Sequence, residues 1–297
     1  MPKDDIWATI SRHVETVSGK RFAISQRASA SGGCINTAHV IHGQDGSRYF
    51  IKLNDAAHAD MFAAEHDGLL EIQRSGAIRV PEPLCHGMAG SHAYLVLEYL
   101  ELGRGTATCA ARLGRDLAAM HRHTRNAYGW RRDNTIGTTP QPNGILEDWP
   151  TFWRQRRLGF QLDLADRAGY SRLARAGERL LDALPALFQD HRPAASLLHG
   201  DLWSGNQACL RDGTPVVYDV AVYYGDRETD IAMTELFGRF PDAFYAAYQE
   251  AWPLPPGYAL RREVYNLYHV LNHLNLFGGG YLAQAEQIIR HLLASAG

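Results

Sequence analysis

Residues 197–206 read LLHGDLWSGN: an apolar pair runs into His199, Gly200 and Asp201, a Trp follows, and Asn206 closes the stretch. The chain continues NQACLRDGTPVVYDVA (206–221), where Asp212-Gly213 between two apolar runs signals a two-residue hairpin loop. That loop pairs Arg211 with Thr214 and sets Asn206 directly opposite Asp219, with side chains within about 5 Å. Pro215 has no N–H to give the ladder, which loosens the register. A polar hairpin end facing water would also carry an Asp and an Asn. Asp219, however, interrupts the apolar strand PVVYDVAV (215–222), and burying a carboxylate is costly unless a cation or donor compensates it.

Two oxygen-bearing side chains converging in this way suit Mg²⁺, which takes hard oxygen ligands and keeps room for water and phosphate. The spacing His199-x-Asp201-Leu202-x-x-x-Asn206 matches the H-x-D-L-x-x-x-N pattern of kinase catalytic loops. In that chemistry Asp201 accepts or orients the proton of an attacking hydroxyl, Asn206 holds the metal, and Asp219 bridges metal to phosphates. His199 is expected to orient the loop through hydrogen bonds rather than to titrate.

An independent sign comes from the N-terminal half. Lys52 lies in the short strand RYFIKLN (48–54), and on the helix after it Phe62, Glu65, Leu69 and Ile72 fall at i, i+3, i+7 and i+10. A carboxylate inside an apolar stripe needs a partner, and Lys52 with Glu65 is the pair that holds a kinase strand lysine against nucleotide phosphates. By itself an edge-strand lysine is ordinary. The loop SASGGCIN (29–36) would then cover the phosphates, with Gly32 and Gly33 letting the backbone come close and Cys34 beside them. No Gly-Lys-Ser/Thr follows, so it is not a Walker A loop. The Cys34 thiol is either a reactive group whose oxidation gives a redox-dependent dimer of the monomer, or an inert loop residue. AYLVLEYL (93–100) reads as a buried strand, and the backbone of Glu98, Tyr99 and Leu100 either binds adenine or simply ends it.

A first helix at about 4–18 precedes RFAISQRA (21–28) and TAHVIHG (37–43), and the turn Gln44-Asp45-Gly46 leads into the Lys52 strand. Asn54-Asp55 can cap a helix reaching about Arg74. From Ala107 the apolar period is near 3.6, interrupted only around 196–221 by strand-like runs. The expectation is an α+β, bilobal chain. Residues 1–102 form a small antiparallel-sheet nucleotide-binding lobe with one helix, and residues 103–297 form a larger, mainly helical catalytic and substrate-binding lobe.

With 297 residues, 45% hydrophobic content and a net charge of −2, the chain can bury a sizeable core and has no electrostatic footprint for nucleic acid or an anionic membrane. Arg154, Arg156 and Arg157 read as a solvated helix face. Cys34, Cys85, Cys109 and Cys209 are scattered without metal-ligand spacing, which favours a reducing compartment over a disulfide framework and argues against a zinc site. The N-terminus has no hydrophobic signal core and no run is long enough to span a bilayer, so a soluble cytoplasmic protein is expected.

Together with SGGCIN, FIKLN and MFAAEHDGL, the strings LLHGDLWSGN, YDVAVYYGDRETDIAM, LFGRFPDAFYAAY and LYHVLNHLNLFGGGY resemble the fructosamine kinase (ketosamine-3-kinase) family, in matching order over roughly residues 5–295. That family is an aminoglycoside- and choline-kinase-like branch of the protein-kinase fold. The resemblance implies ATP- and Mg²⁺-dependent phosphorylation of the sugar 3-hydroxyl of ketoamines, free or on glycated lysines, after which the unstable adduct releases its amine. By position it makes Asp201 the base, Asn206 and Asp219 the metal ligands, and Lys52 and Glu65 the phosphate-anchoring pair. Trp203 could offer a stacking face to substrate or be plain packing, and His273 could bond the sugar or be a satisfied core histidine. Val220 stands where the family commonly has Pro, and Asp226 where it commonly has His, which bears on substrate preference. Asp230 is expected to be structural, either as a helix-start acceptor or as a brace for the catalytic loop. The alternatives are a kinase of another hydroxyl compound, of aminoglycoside, choline or methylthioribose type, and a non-catalytic nucleotide-binding module.

Overall fold

The computed structural model describes residues 6–30 and 35–296, so the expectations at Gly32, Gly33 and Cys34 lie outside the described residues. Helix α1 (Ile6–Ser18) leads into the strands β1 (Ile24–Ala30), β2 (Thr37–Gly43) and β3 (Arg48–Asp55); helix α2 (Ala59–Ser75) follows, then β4 (Pro83–Ala89) and β5 (His92–Glu98). The five strands form one antiparallel sheet in the order β1-β2-β3-β5-β4. Side chains alternate across it. Ile51, Leu53, Tyr94 and Val96 join Ile10 and Val14 of α1 in one core, whereas Leu95 and Leu97 join Phe62, Leu69 and Ile72 of α2 in the other. Lys52 pairs with Leu95 across the ladder and therefore shares the α2 face.

Asp55 accepts from Ala57 N at 2.9 Å and opens a 3₁₀ turn that runs into α2, and Gly76, at φ 63°, ends that helix. Two helices rather than one accompany the sheet, and β4 has no clear period because PLCHGMA opens with three apolar residues in succession and Gly87 interrupts it.

The helical expectation beyond Ala107 holds for α3 (Ala107–His121), but three short strands follow it: β6 (Thr124–Arg125), β7 (Asn134–Ile136) and β8 (Thr139–Gln141). Runs of two or three residues are too short to carry a period. Helix α4 (Trp149–Phe152) passes through a π-helical stretch, Trp153–Leu158, into α5 (Gly159–Arg167), followed by α6 (Ser171–Leu187) and β9 (Ala195–Leu198). Next come β10 (Gln207–Cys209), β11 (Pro215–Val217), β12 (Tyr223–Gly225), α7 (Glu228–Leu236), α8 (Asp242–Ala251), α9 (Tyr258–Phe277) and α10 (Leu282–Ala296). No described helix is long and apolar enough to cross a membrane.

Two readings of side chains are corrected. Arg157 is not solvated: it is fully buried, donates to Pro142 O and Asn143 Oδ1, and lies 4.0 Å from the Tyr223 ring centroid. The π-helical stretch carries Arg154, Arg156 and Arg157 on one turn, and only Arg154 reaches a surface carboxylate, Asp182. Cys109 and Cys209 form a disulfide, although 100 residues separate them. The linker explains it: Gly103 N donates to Cys209 O and Arg211 N to Glu101 O, so 101–103 runs beside β10 and brings the first turn of α3 against it. Spacing in sequence does not report that contact. Cys85 is a buried free thiol.

Candidate active site

Strand β9 leads directly into the loop 199–206. His199 N and Gly200 N both donate to the Asp230 carboxylate, at 2.7 and 2.9 Å, and His121 Nε2 lies 3.1 Å from it. Burial alone would raise Asp230, but the hydrogen bond and charge of His121, with His199 and the Gly200 N–H, hold it below the usual carboxylate range. Gly200 has φ 85°, and a Cβ there would stand 2.1 Å from Ala221 O, so the loop needs glycine at this point. His199 donates from Nε2 to Tyr218 O and accepts Asp201 N–H at Nδ1, which is the neutral ring, in keeping with the lowering of its pKa by burial. It orients the loop. His121 and the depth of the Asp230 brace left no signal in the sequence beyond the position of Asp230 itself.

The hairpin register differs from expectation by one residue. Gln207 pairs with Val217 and Cys209 with Pro215, so Asn206 faces Tyr218 rather than Asp219. The connection has three residues, because Leu210 N donates to Thr214 O, Gly213 N to Leu210 O, and Gly213 sits at φ 85°. Asn206 and Asp219 still approach: Asn206 Nδ2 lies 2.9 Å from Asp201 O, 3.3 Å from Asp201 Oδ2 and 3.5 Å from Asp219 O. With Nδ2 so used, the amide oxygen is the Asn206 atom suited to a cation.

Lys52 Nζ stands 2.6 Å from Glu65 Oε1 and 2.6 Å from Asp219 Oδ1. Burial works against the ammonium, but the Asp219 and Glu65 carboxylates outweigh it and hold the Lys52 pKa above its ordinary value. Lys52 and Glu65 are buried, whereas the Asp219 side chain is 40% exposed, so the anchored carboxylate keeps a face open to solvent. Asp201 is pushed up to about 7, first by burial and then by the nearby Asp219 charge, against the hydrogen bond from Asn206. Lys52, Glu65, Asp201, Asn206 and Asp219 are thus one connected group.

Contacts that the sequence did not reveal fasten α2 to the rest of the molecule. Asp67 pairs with Arg131 and Arg132, and Glu71 accepts from Arg125 and from Tyr224 OH. These partners lie far apart in sequence, Arg125 54 and Tyr224 153 residues from Glu71, and no local pattern reports such contacts.

On the opposite side of Asp201, Trp203 is 38% exposed, and a Cβ on Gly205 would meet its ring at 2.3 Å. Ser204 Oγ donates to Phe237 O, and the Phe237 ring lies 4.3 Å from that of His273. His273 Nδ1 donates to His269 O one turn back, and its ring also neighbours Phe277 and Tyr281. Burial lowers its pKa. At the end of β5, Glu98 pairs with Arg79 and accepts from Glu82 N, and Arg48 covers the Tyr99 ring, with Leu100 next in the chain. Asp226 bonds to His191 and Tyr265, and Glu228 beside it pairs with Arg261.

The fructosamine kinase family model matches residues 6–295. The chain belongs to the fructosamine kinase family. A protein described as a probable ketoamine kinase of Synechocystis is 48% identical over 294 residues, 97% of each chain. The chloroplastic protein-ribulosamine 3-kinase of Arabidopsis thaliana is 42% identical over 275 residues, covering 91% of this chain and 83% of that protein. Among solved structures, one described as a fructosamine-3-kinase from Haemophilus somnus 129PT superposes with a TM-score of 0.88 at 27% identity, over 97% of this chain and 100% of that one. The bilobal, protein-kinase-like α+β fold is therefore that of the fructosamine kinase family.

Proposed function

We infer that the protein transfers the γ-phosphoryl group of ATP to the sugar 3-hydroxyl of ketoamines, free or on protein lysines. The observation that carries this reading is the convergence of a twice-paired lysine, a partly exposed Asp219, an Asn206 amide and Asp201 within one hydrogen-bonded group. A binding module would need a phosphate anchor but no carboxyl poised near neutrality.

Lys52, held by Glu65, neutralises phosphate charge in a buried setting where the interaction is strong. The backbone at Glu98, Tyr99 and Leu100 is the candidate contact for adenine. Asp219 and Asn206 offer hard oxygen donors, which fit Mg²⁺ rather than a soft metal. These two residues would hold such an ion, which would supply neutralisation of the phosphate charge during transfer. Asp201 takes the proton of the substrate hydroxyl as it attacks; with its pKa raised to about 7 it is a stronger base than an ordinary carboxylate, and about half of it is ionised at neutral pH. Trp203, open beside Asp201, offers an apolar face to the amine side of the ketoamine, and the neighbouring Ser204 bonds to Phe237, whose ring meets that of His273. The names of the relatives, ketoamine kinase and protein-ribulosamine 3-kinase, favour a ketoamine over an aminoglycoside or choline.

The test is ADP release with Mg²⁺, ATP and ribulose-lysine or fructose-lysine, followed by NMR of the product. Phosphorus coupled to the proton on C3, with later appearance of free amine, is expected. Phosphate on another oxygen, or no ADP, contradicts the reading.

A further inference from the structure

Asp219 is the one described non-glycine residue with positive φ, at 59°. A conformation of that kind persists only where the surroundings over-determine it. On the N-terminal side the reasons are visible in the hairpin: Tyr218 N donates to Asn206 O, and Tyr218 O accepts from His199. On the C-terminal side Ala221 N donates to His199 O, but the two carbonyls that follow are not taken up by a strand. Ala221 O accepts from Gln141 Nε2 at 3.2 Å, and Val222 O from Asn134 Nδ2 at 2.9 Å.

Asn134 and Gln141 are the paired residues of the β7–β8 hairpin, and both are buried. Their amides are aimed by a chain of donors. Arg157, which can only donate, gives a hydrogen bond to Asn143 Oδ1; that fixes Asn143 Nδ2 as donor to Asn134 Oδ1, and so leaves Asn134 Nδ2 for Val222 O. Tyr268 OH donates to Gln141 Oε1, which turns Gln141 Nε2 toward Asn134 Oδ1 and Ala221 O. On the other side of the segment α2 comes so close that a Cβ on Gly68 would lie 3.1 Å from both Val220 and Val222. The chain after Asp219 is thus gripped between a helix and two oriented amides.

We propose that Asn134 and Gln141 are positioning residues for the metal site: by holding the Ala221 and Val222 carbonyls they keep Asp219 in the left-handed conformation that sets its carboxylate beside Lys52. The inference rests on the reading of Asp219 as a metal ligand. Groups that support a ligand in this way change metal affinity by about tenfold to a hundredfold when removed.

The experiment uses Asn134→Leu and Gln141→Met, neutral variants of similar size that cannot donate, in the full chain. Two quantities are measured: amide hydrogen exchange of residues 219–223 without nucleotide or metal, and Mn²⁺ affinity in the presence of a non-hydrolysable ATP analogue. Faster exchange confined to that segment and Mn²⁺ affinity lower by about tenfold or more, with unchanged affinity for the analogue in chelator, are expected. Unchanged exchange, or faster exchange with unchanged Mn²⁺ affinity, overturns the proposal. If these variants fail to fold, Tyr268→Phe removes only the hydroxyl that turns Gln141, and a several-fold loss of Mn²⁺ affinity is expected; an unaltered affinity there overturns it equally. Failure of the wild-type protein to bind Mn²⁺ would instead strike the metal-ligand reading of Asp219 and Asn206.

Discussion

The two sides of Asp201 are built differently. Toward the sheet, Lys52, Glu65 and Asp219 are fixed by short ion pairs, and the loop behind them by the Asp230 brace and the Asn134–Gln141 amides. Toward α9, the exposed Trp203 ring and the cluster of Phe237, His273, Phe277 and Tyr281 offer faces rather than directed bonds, and His273 spends its Nδ1 proton on its own helix. Phosphoryl transfer demands charge placed in advance, which explains the rigid side. On the ketoamine reading proposed above, aromatic surface suits amines of differing size, because it imposes few directions.

Substitutions on the two sides should therefore fail differently. On the rigid side Asp201→Asn should lower kcat by about 10²–10⁴-fold while nucleotide affinity is retained, measured by steady-state turnover and nucleotide titration. Lys52→Met leaves the buried Glu65 and the half-buried Asp219 without their cation, and chemical denaturation should show a loss of about 3–5 kcal/mol. A loss under 1 kcal/mol would mean that the pair is solvated and that the contrast between the two sides is weaker than described. Trp203→Ala should leave the denaturation midpoint almost unchanged, because the ring is 38% exposed, yet raise the ketoamine KM by roughly tenfold with a smaller change in kcat. A fall in kcat alone would move Trp203 to the rigid side.

The smallest effect concerns pH. Asp201 has its pKa raised to about 7 by burial and Asp219, and the base must be ionised, so kcat/KM should rise with pH through about 7 and fall away below it. Because the folded-state value lies above the unfolded one, the Asp201 contribution to stability is present at acid pH and is lost as pH rises toward 7 and beyond. Asp201→Asn should therefore gain stability relative to wild type between pH 5 and pH 8, read from denaturant midpoints at each pH; an opposite trend would mean that Asp201 is not desolvated.

Much of the rigid side was legible because its parts are local. The catalytic-loop spacing lies within eight residues, and the helical period put Glu65 on the face that the strand alternation gives Lys52. The hairpin register expected from the sequence is one residue out because Asp212-Gly213 is equally compatible with a two- or three-residue connection: Gly213 has positive φ in both, and only the two-residue loop needs positive φ at Asp212, which the structure does not show. Arg157, the Cys109–Cys209 pair and the Asn134–Gln141 amides are not legible in the sequence for one shared reason: each acquires its role from contacts with residues on other elements, which no local period reports. At Trp203 and His273 the alternatives of packing and recognition both involve an aromatic ring in contact with others, and residue type does not separate them.

The central claim is a kinase whose fixed charges act on a ketoamine hydroxyl. It is tested most directly by comparing kcat/KM for Mg²⁺-dependent ADP release with ribulose-lysine, fructose-lysine, kanamycin and choline, with Asp201→Asn as control. Turnover on a ketoamine well above that on kanamycin or choline, abolished in the variant, is the predicted result; preference for kanamycin or choline, or ADP release that survives Asp201→Asn, would contradict it.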